Sequence, residues 1–335
     1  MKTYSLILLI ISSIWVHSQS ITEIQDLSPK PISGEQIINH FGYSLSYNED
    51  HEQANWVIYE LTDYEVSGGV KRKNQFRSDP KVKTASASLS DYRGSGYDRG
   101  HLAPAGDMKS TYTAMSESFY MSNMSPQLPS FNRGIWKKLE STVRNWAVDY
   151  QKVYIVTGAV LTASYPTIGI NKVSIPEFYY KVILDYEQPE IKGIGFILPN
   201  QKSNKSLQSY AVSIDEVERF TGIDFFHSLP DDVEKQIESD AAVNKWSFNK
   251  SKSYSHNTPY KTKQEKLTGD SKINVNNASK SELMRLPGIG DKLSDKIIAY
   301  RSVYGGFRTI DDLQSVKGIG VKTVAKLEPY ATVYD

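Results

Sequence analysis

The sequence predicts an α+β domain built on a mixed or antiparallel sheet, followed by a small all-α domain, and three observations lead there. Residues 55–61, 153–160, 178–185 and 191–198 are short runs dense in Val, Ile, Tyr and Phe, which is strand composition at strand length. Residues 132–150 instead space their apolar side chains as a helix does. Residues 249–271 are rich in Lys, Ser, Thr and Asn with almost no large aliphatics, too little to bury a core, and the composition changes again beyond them. The chain therefore divides into a domain at 19–248, a linker at 249–271 and a second domain at 272–335.

The first residues, Met1-Lys-Thr and a mostly apolar run to Val16, read as a signal peptide over 1–18, with cleavage after Ser18. The run is too short to span a bilayer comfortably, and no later apolar run is longer. A periplasmic or secreted protein with no membrane span in the mature chain is expected. With no cysteine among 335 residues, disulfides, thiol chemistry and cysteine-held metals are excluded. Thirty-nine Lys and Arg against 38 Asp and Glu leave a net charge of +1, which argues against wholesale coating of nucleic acid. Phosphate contacts must come from local patches, such as Lys71, Arg72, Lys73, Arg77, Lys81 and Lys83 set against a single acid, Asp79.

Taken in order, residues 20–51 are weakly patterned and read as a leader into the domain. Over 55–61 Trp56 and Ile58 fall on one strand face and Val57, Tyr59 and Leu61 on the other, so both faces are expected to be covered. Gly68-Gly69 marks a turn into the basic patch, and 86–97, rich in Ser, Gly and Tyr, reads as a loop. That loop feeds Tyr-Asp-Arg-Gly-His-Leu-Ala-Pro-Ala-Gly-Asp-Met at 97–108, which follows neither helical nor strand periodicity. Gly100 is expected to bend the backbone sharply before His101, and Pro104 and Gly106 to close the loop. Residues 118–124 read as a short strand ended by Pro126. In the 132–150 helix Ile135, Leu139, Val143, Trp146 and Ala147 share a face. Asn132 sits near the first turn, where its side chain could cap the helix, and Glu140 lies about two turns on, on the same side. Residues 213–221 fit a capped helix and 231–237 another.

The Asp-Arg-Gly-His run, Asn123 in Ser-Asn-Met-Ser-Pro-Gln, and Asn132 opening Asn-Arg-Gly-Ile-Trp-Lys-Lys-Leu-Glu140 together resemble the DNA/RNA non-specific endonuclease family. These are the ββα-metal (His-Me) nucleases, which include secreted bacterial nucleases and mitochondrial endonuclease G. The resemblance runs from about Asn55 to about Ile237. It implies that His101 is the general base and that a hydrated Mg2+ sits on Asn132, with Mn2+ able to take the same oxygen ligands. Glu140 would reach the metal-bound waters, and Asn123 would help position His101 or the hydrated ion. Arg72 is the candidate for the scissile phosphate, although Arg77 is close enough to leave the register open. Arg99 would either contact phosphate or pair with an acid such as Asp98 or Asp107. Products with 5′-phosphate and 3′-hydroxyl ends are implied, from DNA and by sugar tolerance from RNA.

In the second domain Leu286-Pro-Gly-Ile-Gly290 returns as Val316-Lys-Gly-Ile-Gly320, each ahead of an amphipathic helix pattern. With Ile-Asn-Val-Asn-Asn-Ala-Ser at 273–279, this resembles the tandem helix-hairpin-helix modules of bacterial competence-type DNA-binding proteins. Gly288, Gly290, Gly318 and Gly320 would present backbone N–H groups to phosphate beside Lys292 and Lys322, with Ile289 and Ile319 anchoring the turns. Binding of this kind is expected to be independent of base sequence and sensitive to salt. The rival reading is a non-catalytic DNA-binding or uptake receptor that keeps the nuclease fold as a scaffold. A phosphodiesterase for small nucleotides fits less well, because a small substrate gains nothing from a duplex tether.

Overall fold

The computed structural model describes residues 27–248 and 272–333, apart from positions 33, 163, 188, 189, 277, 279, 305 and 308. The expected signal peptide at 1–18 and linker at 249–271 lie outside the described residues.

The larger domain is organised on a seven-stranded sheet in the order β1 (Gln36–Asn39), β2 (Ser44–Asn48), β3 (Gln53–Thr62), β6 (Lys152–Ala159), β9 (Phe178–Asp185), β10 (Lys192–Pro199) and β11 (Ala211–Val212). Every neighbouring pair runs antiparallel. Two-stranded pairings β4 (Asp98–His101) with β5 (Met124–Gln127) and β7 (Thr167–Ile168) with β8 (Val173–Ser174) lie outside it. Period-two alternation sends side chains to two separate cores. Val57, Tyr59, Leu61, Tyr179 and Ile183 join Leu139, Val143 and Trp146 of helix α1 (Lys137–Asp149) on one face. Trp56, Ile58, Tyr180, Val182 and Leu184 join Ile214 and Val217 of α2 (Ile214–Thr221) and Ile237 of α3 (Asp231–Glu238) on the other. The sheet is thus the middle layer of three, and both faces of β3 are covered as its alternation predicts.

Several expectations are corrected. Residues 36–48 are not a leader but two edge-side strands, overlooked because the buried positions include Ser44 and Ser46 while Ile37 is 45% exposed. Short helical turns at Leu89–Tyr92 and Tyr112–Glu117 had no periodicity to show them. Residues 118–123 are not a strand. The strand is Met124–Gln127, and it passes through Pro126, which is tolerated because β4 and β5 form only a two-stranded pair. Asp79 does not temper the basic patch. It is 2% exposed and accepts hydrogen bonds from His40 Nε2 at 2.8 Å and Ser122 Oγ at 2.5 Å.

The second domain has its own core, in which Leu286, Ile289, Val316, Ile319, Val324 and Leu327 are buried. Helices α4 (Lys280–Leu283) and α5 (Asp291–Tyr304) form the first hairpin, and a 3₁₀ turn Ile310–Ser315 with α6 (Val321–Leu327) forms the second. It is not purely helical, since β12 (Ile273–Asn274) and β13 (Ala331–Thr332) pair in parallel and tie its ends together. Gly288 and Gly318 take φ of +85° and +110°, a region costly for any side chain, which explains a glycine at the same place in both repeats. Gly290 and Gly320 do not, and a Cβ on either would meet open space. All four glycines and Lys292 and Lys322 are exposed, while Ile289 and Ile319 are each 4% exposed. No helix among the described residues is long and apolar enough to cross a membrane.

Candidate active site

The chain order β4, β5, α1 brings a strand ending in His101, its antiparallel partner and a helix together. Buried hydrogen bonds fasten β5 to the main sheet: Ser125 Oγ donates to Gln53 Oε1 at 2.5 Å, and Tyr179 Oη donates to the Pro126 carbonyl at 2.9 Å. Asp98–His101 is therefore a strand and not the tail of a loop, and Gly100 does not bend the chain. Its lack of a side chain has another reason. A Cβ there would lie 2.2 Å from Gln127 Cδ, and Gln127 is fully buried. Gly100→Ala is expected to cost about 1–3 kcal/mol of stability through this overlap, read as a lower denaturant midpoint.

His101 is 7% exposed, with its ring edge-on to Phe119 at 5.1 Å between centroids and 5.7 Å from Phe76. Its Nε2 is buried without a hydrogen-bond partner among the described residues. Burial first, then the charges of Arg72 and Arg99, push its pKa down to about 3. The imidazole is thus neutral at ordinary pH, the form that can accept a proton. Arg99 stacks its guanidinium over Phe76 at 4.4 Å, with a buried Nε that has no partner. It pairs with neither Asp98 nor Asp107, contrary to the scaffold alternative. Asp98 is bound by Arg133 at 2.6 and 2.8 Å, and Asp107 accepts from Arg144 at 2.6 Å and Tyr59 Oη at 2.9 Å.

Of the two arginines left open by the sequence, Arg77 is occupied. Its guanidinium donates to the Ser116 carbonyl and hydroxyl at 2.9 and 3.1 Å and lies 4.0 Å over Tyr120. Arg72 is exposed, lies 5.2 Å over Phe119, and among the described residues is bonded only through Nε to Asn74 at 2.8 Å. Its positive charge lowers both His101 and Glu140, so it stands near both. Asn123 is fully buried and fully engaged. It accepts from Ala103 N–H and donates to the carbonyls of Ala103 and Ser118, all at 2.9 Å. One amide hydrogen is spent on Ala103, just after His101, and the other on Ser118, so Asn123 clamps the two segments together and has no amide hydrogen left.

Asn132 is not a helix cap. Its φ of −54° and ψ of −49° are helical, and the helical turn begins earlier, after Leu128. Residues Asn132–Trp136 form a wide π-turn with Gly134 off helical values, a device that recurs where helices carry function. Asn132 Nδ2 donates to Asp98 Oδ2 at 2.9 Å, which fixes the amide, and among the described residues its Oδ1 accepts no hydrogen bond. Burial alone would raise the Asp98 carboxyl, but its bonds from Arg133 and Asn132 hold it below the usual range, so it stays an acceptor. Glu140, partly buried on α1, has no hydrogen bond among the described residues, and burial raises it to about 7 against the pull of Arg144. A fixed amide oxygen on the π-turn and a carboxylate with no hydrogen bond among the described residues on the helix that follows suit an oxygen-seeking cation that keeps most of its waters.

Two residues of this cluster escaped the sequence reading. Lys181 is fully buried on β9, with Nζ lacking a hydrogen bond and lying 5.0 Å over the Trp136 ring. Burial lowers it to about 8 while the charges of Glu140 and Asp107 oppose the fall. The alternation Tyr179, Lys181, Ile183 places it on the covered face, and that was the signal to read. Arg144, four residues after Glu140 on α1, was legible from helical spacing alone.

Comparisons with known proteins show the family. The sequence profile of the DNA/RNA non-specific endonuclease family matches residues 28–232, and that of the helix-hairpin-helix motif matches 269–332. The chain is 36% identical over 216 residues to the mitochondrial nuclease EXOG of Danio rerio, covering 59% of this chain and 63% of that protein. It is 36% identical over 231 residues to nuclease C1 of Cunninghamella echinulata var. echinulata, covering 64% and 90%. A solved structure of the EndoG/EndoGI complex superposes with a TM-score of 0.58 at 31% identity, covering 64% of this chain and 92% of that one. The chain spans about six tenths of the length of the mitochondrial relatives, from 59% to 63%. Residues 28–232 make up more than half of the chain, which therefore belongs to the DNA/RNA non-specific endonuclease family.

Proposed function

We propose that this protein is an exported, metal-dependent, sequence-non-specific endonuclease that hydrolyses phosphodiester bonds of DNA and RNA and is held on duplex by its helix-hairpin-helix domain. The observation that carries the reading is a buried, neutral His101 beside two arginines, with Asn132 on the π-turn and Glu140 on the helix that follows it. His101 takes the proton of the attacking water. Arg72, exposed and bonded on one edge only, meets the phosphate and offsets its growing charge. Arg99 adds positive field from its seat on Phe76. Asn132 Oδ1 and the waters oriented by Glu140 would hold Mg2+ or Mn2+, which supplies Lewis-acid stabilisation of the leaving oxygen. Nothing in this set reads a base, which supports cleavage without sequence preference; ends of the 5′-phosphate, 3′-hydroxyl type are what the family resemblance implies.

Glu140 sets a pH dependence. Its pKa of about 7 means that it is largely protonated below that and charged above it, and only the charged form holds a hydrated cation well. The Mg2+ concentration giving half-maximal cleavage is expected to fall as pH rises from about 6 to about 8, and Glu140→Gln to flatten that dependence. A flat profile in the wild type would remove Glu140 from the metal's surroundings.

The exposed Gly-Ile-Gly turns with Lys292 and Lys322 support a phosphate-binding tether, which would raise the local concentration of duplex near His101. Removing 272–335 is expected to leave cleavage of short oligonucleotides unchanged and to make cleavage of long duplex fail at lower salt. Identical salt dependence with and without that segment would contradict the tether.

A further inference from the structure

On the sheet face opposite α1, three carboxylates converge without a cation. Helices α2 and α3 are pressed onto β10, where a Cβ on Gly193 would come within 2.6 Å of both Ile214 Cδ1 and the Ile237 carbonyl. This close fit holds the last turn of α3 against the sheet and fixes Glu238 beside α2. Glu238 is only 5% exposed, and its Oε1 is buried with no hydrogen-bond partner among the described residues. One carboxylate oxygen from each of Asp215, Glu218 and Glu238 lies within 4.8 Å of the other two. Glu218 accepts one bond, from the Phe225 N–H at 2.7 Å. Among the described residues none of the three takes part in an ion pair. Asp224 and Glu234 add further negative charge around them, and Lys30 is spent on Asp224 at 3.0 Å.

An acidic cluster on a free surface relaxes into water, but Glu238 has no such route. A carboxylate that carries a buried oxygen with no donor among the described residues, and that stands close to two more carboxylates, is costly unless a positive charge sits among them. We propose that Asp215, Glu218 and Glu238 form a second divalent-cation site, separate from the one at Asn132, that takes a Ca2+-type ion and clamps α2 to α3. The donor set is all oxygen and irregular, with one ligand exposed, one partly buried and one buried. Calcium accepts six to eight oxygens in flexible geometry and can complete its shell with water at the exposed Asp215 side, whereas Mg2+ demands a near-ideal octahedron. The inference does not depend on the nuclease reading, because no residue of the His101 cluster contributes to it.

The test uses the full chain stripped with chelator and melted in increasing Ca2+, in an Asn132→Ala background that weakens the other metal site. The described tryptophans, Trp56, Trp136, Trp146 and Trp246, all lie in the larger domain, so their fluorescence follows the part that holds the cluster. Ca2+ is expected to raise the melting temperature saturably, and Mg2+ to raise it less. Adding Glu238→Gln should abolish the rise, equivalent to at least about ten-fold weaker binding, without lowering the metal-free melting temperature. Asp215→Asn, at an exposed position, should reduce the rise even if the Glu238 variant folds poorly. No rise with Ca2+, or an equal rise in both variants, would overturn the proposal. Stabilisation by mild acid in place of Ca2+ would overturn it too, since it would mean that Glu218 and Glu238 share a proton.

Discussion

His101→Ala is expected to slow phosphodiester cleavage by about 10²–10⁴-fold, the range a positioned general base supplies, with the fold retained. The imidazole is packed against Phe76 and Phe119 and its buried Nε2 has no partner among the described residues, so no hydrogen bond seen there is lost with it. A cavity beside two aromatic rings lowers stability by a few kcal/mol at most, which a melting curve separates from the kinetic loss. Because burial and two arginines hold the group at about 3, the acid limb of the rate profile is not expected to belong to His101. It should move with Glu140 instead. A wild-type rate that falls with a pKa near that of a free histidine would mean that His101 is more open to water than its 7% exposure indicates.

Asn132→Ala is expected to raise the metal concentration required for cleavage by at least about 100-fold, while changing stability far less. Its amide nitrogen has one partner, Asp98, which Arg133 still holds after the change. Its carbonyl oxygen has no bond among the described residues to lose. Asn132→Asp keeps an oxygen in place and should restore part of the metal response, though it sets a second carboxylate beside Asp98. If Asn132→Ala instead collapsed stability and added metal made no difference, the amide would be a structural prop for the π-turn.

What could be read from the sequence follows from how each feature is encoded. Period-two alternation placed Trp56 and Ile58 opposite Val57, Tyr59 and Leu61, and helical spacing picked out Ile135, Leu139, Val143, Trp146 and Ala147, all of them buried. The buried serines of β2 erased the same signal there. Gly100 shows the limit of reasoning from residue type: a glycine before a histidine suggested a bend, but it clears space for Gln127, a contact made across the β4–β5 pair. Arg72 and Arg77 could not be told apart until Ser116 was seen to occupy Arg77. Lys181 was hidden in an apolar strand. Glu238 falls just beyond the helix expected at 231–237, and its burial follows from the packing of α3 against Gly193, a contact between distant parts of the chain.

The central claim is tested most directly by incubating supercoiled plasmid with the purified chain, with Mg2+ or with chelator, beside His101→Ala. The account predicts nicking and then fragmentation by the wild type with metal, none with chelator, and little or none by the variant. A folded wild type that retards DNA in a gel but leaves it uncut with Mg2+, Mn2+ or Ca2+ would contradict it and make the protein a DNA-binding receptor.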